Sequence, residues 1–557
     1  MKKKAYFTLS ILLAASLFMS CGGKKSETTT KETSHVETTT NTASEEATPE
    51  STSDNGEIVF RIANGAEPES LDPALIQGTP EHNLNLALFE GLVGTDPKTG
   101  NAAPGLAKSW ESNADKTQWT FHLRQENWSD GTPITANDVV YSWLRELNPE
   151  TAAPYAWFPD MFIKGATDYN NGITTDPATV GIRALDDSTF QMDLIGPIPY
   201  AINALNHYSF GIVPQHVIEK WGEAWTAPEH FVGNGPFVLS ERVPQSYISC
   251  TPNPEYWDKD NVQLDKVIFF SNDDNNTNYN MFINGEVDWD MTIPTDRISQ
   301  ASMRDDYNKN AQLGTYYFDL NTRKAPFDNP LVRKAFSLAI DRQELVDGVT
   351  KGGQIPAYGM APTMDGYDAL DPIYDNMDDS IAAAQNLLAE AGYPDGMGFP
   401  DVSILYNTSD NHKAIAEFVQ QQLLDNLGIN ISLVNEEWST FVTDRNAGQF
   451  TMSRDGWSGD YQDPNTFLDM YQTGATMNCA GYSNPAYDEA LHNAAKMPAS
   501  AERFDVLKAA DTLISQTDSA VIPIYYYVVE NMIDTNKWGG WYKNVMDSHP
   551  MKNIYLK

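Results

Sequence analysis

The sequence predicts an α/β fold, because one stretch of it reads as strand, helix and strand in succession. Residues 402–406 form a short apolar run, and a polar turn follows at residues 407–410. Apolar side chains then recur at helical spacing up to Gly428, and apolar residues alternate again over residues 429–433. A unit of this kind places its two strands in parallel with a right-handed crossover.

Two further stretches predict capped helices. Residues 119–123 alternate as a strand, and residues 129–133 are rich in turn residues. Thr135 then starts a helix, with Asp138 as the acidic partner of its cap. Another helix begins at residues 329–330, where Asn-Pro supplies a cap residue and a proline in the first turn.

The predicted strands indicate where a ligand would bind. In open α/β sheets, ligands lie beyond the carboxyl ends of the strands. Asn407 follows the strand at residues 402–406, and the polar segment 454–460 follows the strand-like residues 450–452. Both are therefore candidates for ligand contact.

Motifs for catalysis or metal binding are missing from the sequence. It contains no G-x-S-x-G, no H-E-x-x-H and no Gly-rich phosphate loop before a helix. The polar run at residues 272–280 has oxygens that could hold calcium, but it lacks the spacing of a calcium-binding loop, so we expect a solvated loop. The sequence therefore predicts no metal site, no cofactor and no enzymatic activity.

The N-terminus predicts export and lipidation. Lys2, Lys3 and Lys4 precede an apolar run at residues 7–19 that is too short to span a bilayer. The run ends at Cys21 in a pattern that resembles a lipobox, so residues 1–20 are predicted to be a signal peptide and Cys21 to carry the lipid. An ordinary signal peptide with an incidental cysteine is the alternative. The segment up to residue 56 is rich in Ser, Thr and Glu and predicts a disordered tether.

Composition limits the number of domains and the kinds of partner that the rest of the chain can have. Hydrophobic residues make up 41% of the 557-residue chain, and the roughly 500 residues after the predicted tether are long enough for two or three domains. The net charge of −39 argues against binding to nucleic acid or to anionic lipid, so the lipid on Cys21 is the expected membrane contact. Cys250 and Cys479 could pair or remain two buried thiols, and the second alternative is slightly favoured.

Ordered motifs extend from about residue 58 to the C-terminus. They include E-P-E-S-L-D-P at 67–73, L-F-E-G-L at 88–92, P-G-L-A-K-S-W-E at 104–111, W-S-D-G-T-P-I-T-A at 128–136 and V-R-K-A at 332–335 followed by A-I-D-R at 339–342. Together they resemble the solute-binding proteins of ABC importers, family five. The motifs L-Y-N-T-S-D at 405–410, E-W at 437–438 and I-P-I-Y-Y-Y at 522–527 narrow the resemblance to the oligopeptide-binding branch.

The resemblance implies a two-lobed fold of the type II periplasmic-binding-protein class, with an extra domain inserted in the first lobe. The implied boundaries are residues 57–89, 214–313 and 527–557 for lobe one, 90–213 for the inserted domain and 314–526 for lobe two. It also implies a monomer on the extracytoplasmic face of the cell membrane. That monomer would capture short peptides and deliver them to the transmembrane subunits of an ABC permease.

The resemblance also implies site residues. The Asp of the G-W-x-x-D-Y segment, here Asp460, would pair with the α-amino group of the peptide. Arg454, Arg445 and His412 are candidates for the peptide carboxylate, and Arg454 is preferred because it is placed in the same turn as Asp460 and its guanidinium matches a carboxylate. Five residues are expected in the walls of the side-chain pockets: Tyr155, Asn407, Trp438, Trp457 and Tyr526.

Three positions depart from the family pattern. Gln77 and Asp319 both stand where relatives have Glu, and Thr350 replaces a Lys. Charge inside the cleft is therefore expected to differ from that of the relatives. Within the same fold, a nickel complex, haem or an oligosaccharide is an alternative ligand, and a peptide sensor or pheromone receptor is an alternative role. A secreted peptidase is an alternative that no motif supports.

Overall fold

The structure is a computed structural model that describes residues 56–557. The predicted signal peptide, the lipid on Cys21 and the predicted tether before residue 56 lie outside the described residues. Across residues 56–557, no helix combines the length and the apolar character needed to cross a bilayer.

Strands and helices are interspersed along the described chain, which confirms the α/β class. The strands are β1 (Val59–Ala63), β2 (Val93–Thr95), β3 (Ala102–Pro104), β4 (Ala107–Ser112), β5 (Gln118–Leu123), β6 (Ile182–Asp186), β7 (Thr189–Asp193), β8 (Phe237–Val243), β9 (Tyr247–Pro252), β10 (Lys266–Phe270), β11 (Trp289–Asp290), β12 (Tyr307–Leu320), β13 (Ile355–Pro356), β14 (Ser403–Asn407), β15 (Ser432–Glu436), β16 (Met452–Ser458), β17 (Val521–Ile533), β18 (Trp538–Gly539) and β19 (Tyr555–Leu556). The helices are α1 (Thr79–Leu88), α2 (Ala136–Leu147), α3 (Trp157–Asp160), α4 (Ala166–Asn170), α5 (Ala201–Ala204), α6 (Gln215–Trp221), α7 (Asn275–Asn284), α8 (Ile298–Ala301), α9 (Pro330–Leu338), α10 (Arg342–Leu345), α11 (Met377–Glu390), α12 (Asp410–Leu427), α13 (Trp438–Asn446), α14 (Pro485–Ala494) and α15 (Ala501–Thr512).

An eleven-stranded mixed sheet lies at the centre of the described structure. Its strand order is β15-β14-β16-β12-β17-β11-β1-β10-β9-β8, with β13 attached to β17. The long strands β12 and β17 pair antiparallel along most of their length. One end of this pair joins β16 and the other end joins β11. The pair therefore connects the β14–β16 group of strands to the β1 group, which comprises β1 and β8–β11.

The β-α-β unit predicted for residues 402–433 is present as β14, α12 and β15, and the two strands are parallel. Ser409 caps α12 by accepting the backbone N–H of His412, and Gly428 ends the helix with a positive φ of 68°. The second strand begins at Ser432 rather than at Ile429, because Ile429 and Ile431 pack in the core with the apolar side of α12.

The predicted helix caps are also present. Thr135 and Asp138 form a reciprocal capping box at the start of α2. The Asn329 side chain accepts the backbone N–H of Leu331, and Pro330 occupies the first position of α9. These starts were predictable because each depends on residues within three positions of one another.

Two local predictions were wrong. The strand expected at residues 450–452 is β16, which begins at Met452 and continues to Ser458 because it pairs with residues 314–320 of β12. The solvated loop expected at residues 272–280 is largely α7. Asp274 caps this helix by accepting the backbone N–H of Thr277. Burial of Tyr279 stabilises the helix further through packing, which the asparagine-rich sequence of the segment does not predict.

The segment predicted as an inserted domain, residues 90–213, contains a four-stranded antiparallel sheet in the order β4-β5-β7-β6. Its apolar core continues into residues that follow β16. Tyr461 stacks on Tyr200 with ring centroids 4.3 Å apart and on Phe158 at 5.7 Å. These contacts place residues 155–210 beside the end of β16.

The two cysteines of the described chain do not pair. Cys250 and Cys479 are both buried free thiols, which confirms the favoured alternative. Burial raises the pKa of both, that of Cys479 to about 12, so both stay protonated at neutral pH.

Candidate ligand-binding site

Asp460 lies two residues beyond β16, with its carboxylate enclosed by protein. Its backbone N–H donates to Thr466 Oγ1 at 3.0 Å, and its side chain is only 8% exposed. Oδ1 lies 3.4 Å from His207 Nε2, whereas Oδ2 has no hydrogen-bond partner among the described residues. Burial, together with the charge of Asp469, holds the pKa of Asp460 well above its usual value. Such a carboxylate gains greatly from a cation placed against Oδ2.

Aromatic rings form a wall beside Asp460. The rings of Tyr155 and Trp457 stack with centroids 6.2 Å apart, and Tyr155 lies 4.6 Å from the His207 ring. Tyr155 and Trp457 are both buried, and Trp457 Nε1 is an unpartnered donor within the part of the chain described. The structure thus brings together three predicted site residues, Asp460, Trp457 and Tyr155.

Arg445 is neutralised by the carboxylate of Asp455. Its Nη1 donates to both oxygens of Asp455, at 2.9 and 3.0 Å, and its Nε and Nη2 donate to Asn446 Oδ1. Burial opposes the charge of Arg445, but Asp455 raises the pKa of its guanidinium above the usual value. Each of its three nitrogens is therefore already bonded.

Asp319 lies behind this ion pair and is fully buried. Tyr471 donates its hydroxyl hydrogen to Asp319 Oδ1 at 2.8 Å. Burial, followed by the charge of Asp455, raises the pKa of Asp319 to about 8, so this carboxyl is largely protonated at neutral pH. At neutral pH, Asp319 therefore adds little negative charge beside Arg445.

Arg454 and His412 form a second pair. Arg454 Nη2 lies 2.7 Å from His412 Nε2. Because a guanidinium can only donate, His412 Nε2 accepts and Nδ1 carries the ring proton. Burial and the charge of Arg454 hold the pKa of His412 well below its usual value, so the ring is neutral. His412 Nδ1 and Arg454 Nε are donors without a partner in residues 56–557.

The placement of Arg454 in one turn with Asp460 was wrong. Arg454 lies within β16, opposite Phe318 of β12, and side chains alternate between the faces of a strand. Its guanidinium packs 5.4 Å from the Tyr316 ring, whereas Asp455 and Trp457 occupy the other face of β16. The side chains of Arg454 and Arg445 therefore lie towards opposite faces of β16.

The remaining predicted residues occupy three places. Asn407 is the last residue of β14, at the carboxyl end of the strand as predicted. Its Oδ1 is buried without a hydrogen-bond partner in the described chain. Gln77 accepts from Asn446 Nδ2 at 3.4 Å, and Trp438 packs on Phe441 close to Gly78. Tyr526 is buried in β17, where its hydroxyl donates to the Gly359 carbonyl at 3.0 Å.

A cavity of about 860 Å³ separates the β1 group from the start of α13. Four carboxylate residues line it: Glu67, Glu69, Asp273 and Glu437. Gln77 connects its wall to α13, because Gln77 Nε2 donates to Glu69 Oε2 at 3.4 Å and Gln77 also contacts Asn446. The lining of this cavity is therefore rich in carboxylates, and the cavity lies next to the start of α13, where Trp438 is placed.

Direct hydrogen bonds join α12 to α7 and to the segment between β11 and α8. Asn276 Nδ2 donates to Asp410 Oδ2 at 3.2 Å. The backbone N–H of Thr295 donates to Asn411 Oδ1 at 3.3 Å. The starts of α7 and α12 therefore face each other, as in a cleft whose two sides have come together.

Two residues of the site were missed by the sequence reasoning. His207 contacts Asp460 from a segment more than 250 positions earlier, and no motif marks it. Asp455 lies inside the segment 454–460, but its pairing with Arg445 depends on the register of β16 against β12 and on α13. Neither contact has a signal in local sequence.

Comparison with known proteins places the chain in a family. A family model described as bacterial extracellular solute-binding proteins, family 5 middle, matches residues 101–479. The chain is 37% identical over 504 residues to the periplasmic oligopeptide-binding protein OppA of Salmonella typhimurium, covering 88% of this chain and 91% of that protein. Its structure resembles Haemophilus influenzae OppA in complex with the peptide RPPGFSPFR, with a TM-score of 0.86, 33% identity and coverage of 90% and 99%.

Two structures of one further relative differ in how well they match. The Escherichia coli murein tripeptide binding protein MppA gives a TM-score of 0.86 at 33% identity, covering 90% of this chain and 99% of that one. Its unliganded open form gives 0.64 at 34% identity, with coverage of 90% and 98%. The arrangement of this chain is therefore farther from the open form, which agrees with the hydrogen bonds that α12 makes to Asn276 of α7 and to Thr295.

Proposed function

The chain belongs to the family 5 bacterial extracellular solute-binding proteins, and on that premise we propose that it captures short peptides and delivers them to an ABC-type oligopeptide permease. The observation that carries the proposal is Asp460 Oδ2, a buried carboxylate oxygen without a partner in the described structure. The free ammonium group of a peptide supplies the charge and the hydrogen-bond donors that this oxygen lacks. The relatives OppA and MppA are named for binding peptides.

We assign the ligand to the space between the two groups of strands. The pairing of β12 with β17 supports this, because it connects the β14–β16 group to the β1 group. We propose that the β14–β16 group belongs to lobe two, residues 314–526, and the β1 group to lobe one, residues 57–89, 214–313 and 527–557. Asp460 and the Tyr155–Trp457 wall would hold the amino end. Peptide backbone recognition by strand addition tolerates many side chains, which suits a carrier of mixed peptides.

Arg454 is the proposed partner of the peptide carboxylate, since it keeps an unused donor whereas the nitrogens of Arg445 are all bonded. Arg454→Gln is expected to weaken binding of a tripeptide with a free carboxylate by about ten- to a hundred-fold, the loss of a hydrogen bond to a charged group. The same peptide with a C-terminal amide should lose little. Calorimetry with both peptides measures this. Equal losses for acid and amide, or no loss for either, would rule out this role.

The N-terminal features complete the proposal. Cleavage after residue 20 and a lipid on Cys21 would hold a monomer on the extracytoplasmic face of the cell membrane, near its permease. Native mass spectrometry of the protein purified from its own membrane tests anchor and ligand together. We expect a lipid mass on Cys21 and co-purified peptides of a few residues. A bound haem, metal complex or oligosaccharide would contradict the peptide assignment, and an unmodified Cys21 would contradict the anchor.

A further inference from the structure

His207 is held in one orientation by its own turn. Its side chain is 6% exposed and follows α5 at the start of a 3₁₀ turn. The backbone N–H of Ser209 donates to His207 Nδ1 at 3.3 Å, and Ser209 Oγ lies 2.9 Å from the same nitrogen. Nδ1 is thus the acceptor of this turn, because a backbone N–H can only donate.

The position of the ring proton follows from this contact. With Nδ1 accepting, a neutral imidazole carries its hydrogen on Nε2. Nε2 is a buried donor that makes no hydrogen bond with the residues described, and the carboxylate oxygen Asp460 Oδ1 lies 3.4 Å from it. Burial and the nearby His82 hold the pKa of His207 well below its usual value, so the ring is an uncharged donor at neutral pH.

Neighbouring rings fix the plane of the imidazole. Tyr208 lies 3.8 Å from it between ring centroids, and Tyr155 lies 4.6 Å away. Phe158 meets it edge-on at 5.2 Å. The imidazole is thus held with its unpartnered Nε2 beside Oδ1, while Oδ2 stays open to the ligand.

We propose that His207 is a positioning residue for the amino end of the ligand, donating from Nε2 to Asp460 Oδ1 so that Oδ2 faces the ammonium group. This inference rests on the proposed peptide-binding function. A neutral donor suits the task, because it orients the carboxylate without neutralising the charge that the ammonium needs. A lysine or arginine at this position would compete with the ligand for Asp460.

The test compares two ligands on the unmodified full chain and on three variants of it. One ligand is a tripeptide, and the other is the same tripeptide with its amino group replaced by hydrogen. His207→Phe keeps a ring without the donor, and His207→Gln keeps an N–H donor. His207→Met is a second donor-free variant in case Phe disturbs folding. Thermal unfolding checks that each variant is folded.

We expect His207→Phe or His207→Met to weaken binding of the tripeptide by about tenfold, with binding of the desamino ligand nearly unchanged. His207→Gln should recover most of the affinity. A merely structural role would weaken both ligands by the same factor, and that result, or unchanged binding of the tripeptide, would overturn the inference. Failure of the unmodified protein to bind any tripeptide would instead refute the proposed function.

Discussion

Asp460→Asn is expected to weaken binding of a free tripeptide by about 30- to 5000-fold, which corresponds to a loss of about 2–5 kcal/mol. The asparagine keeps the size of the side chain, but it removes the charge that pairs with the ammonium group. The loss is large because the carboxylate is buried and water cannot replace the missing partner. Calorimetry with one tripeptide on both proteins gives the ratio directly.

A matched control separates this effect from a general loss of negative charge. Glu489 is exposed on α14, and Glu489→Gln makes the same chemical change at the surface. We expect this variant to bind the tripeptide as the unmodified protein does. Equal affinity of Asp460→Asn and Glu489→Gln would show that Asp460 does not hold the ligand.

Arg503→Met is expected to destabilise the fold by about 3–5 kcal/mol, because it leaves the buried carboxylate of Asp463 without its partner. Arg503 is fully buried and donates to both oxygens of Asp463, at 2.7 and 2.9 Å. Its Nε also donates to the carbonyl of Ala494 at 3.0 Å. Asp463 is three residues from Asp460, so the pair also anchors the segment that carries the ligand carboxylate. Thermal and urea unfolding measure the change.

The control for this prediction is an ion pair of equal length at the surface. Arg183 Nη1 lies 2.7 Å from Asp193 Oδ2, but the Arg183 side chain is 43% exposed. Arg183→Met should cost at most about 1 kcal/mol. Combining Arg503→Met with Asp463→Leu should recover part of the lost stability, since no unpaired charge remains. Similar small losses for Arg503→Met and Arg183→Met would contradict the account.

Local features of this fold could be predicted from sequence because their causes are local. The caps of α2 and α9 and the glycine that ends α12 each involve residues a few positions apart. The extent of β16 could not be predicted, since its pairing with β12 is more than 130 positions away in the chain. The helix α7 was missed because asparagine-rich segments favour loops, and packing of Tyr279 overrides that preference.

The candidate site likewise contains residues that the sequence predicts and contacts that only the structure shows. Asp460, Trp457 and Tyr155 were named from motifs, and the structure brings them together. To choose between Arg454 and Arg445 as the partner of the peptide carboxylate, one must know what each guanidinium already contacts. Asp455, which neutralises Arg445, lies in β16, whereas Arg445 lies in α13. His207 had no sequence signal at all, because its role depends on a contact across two distant segments.

A crystal structure of the protein with a bound tripeptide tests the central claim most directly. We expect the amino nitrogen of the peptide about 2.7–3.2 Å from Asp460 Oδ2, with His207 beside Oδ1. We also expect the peptide carboxylate to contact the Arg454 guanidinium. A peptide whose amino end lies elsewhere, with Asp460 Oδ2 still unpaired, would contradict it.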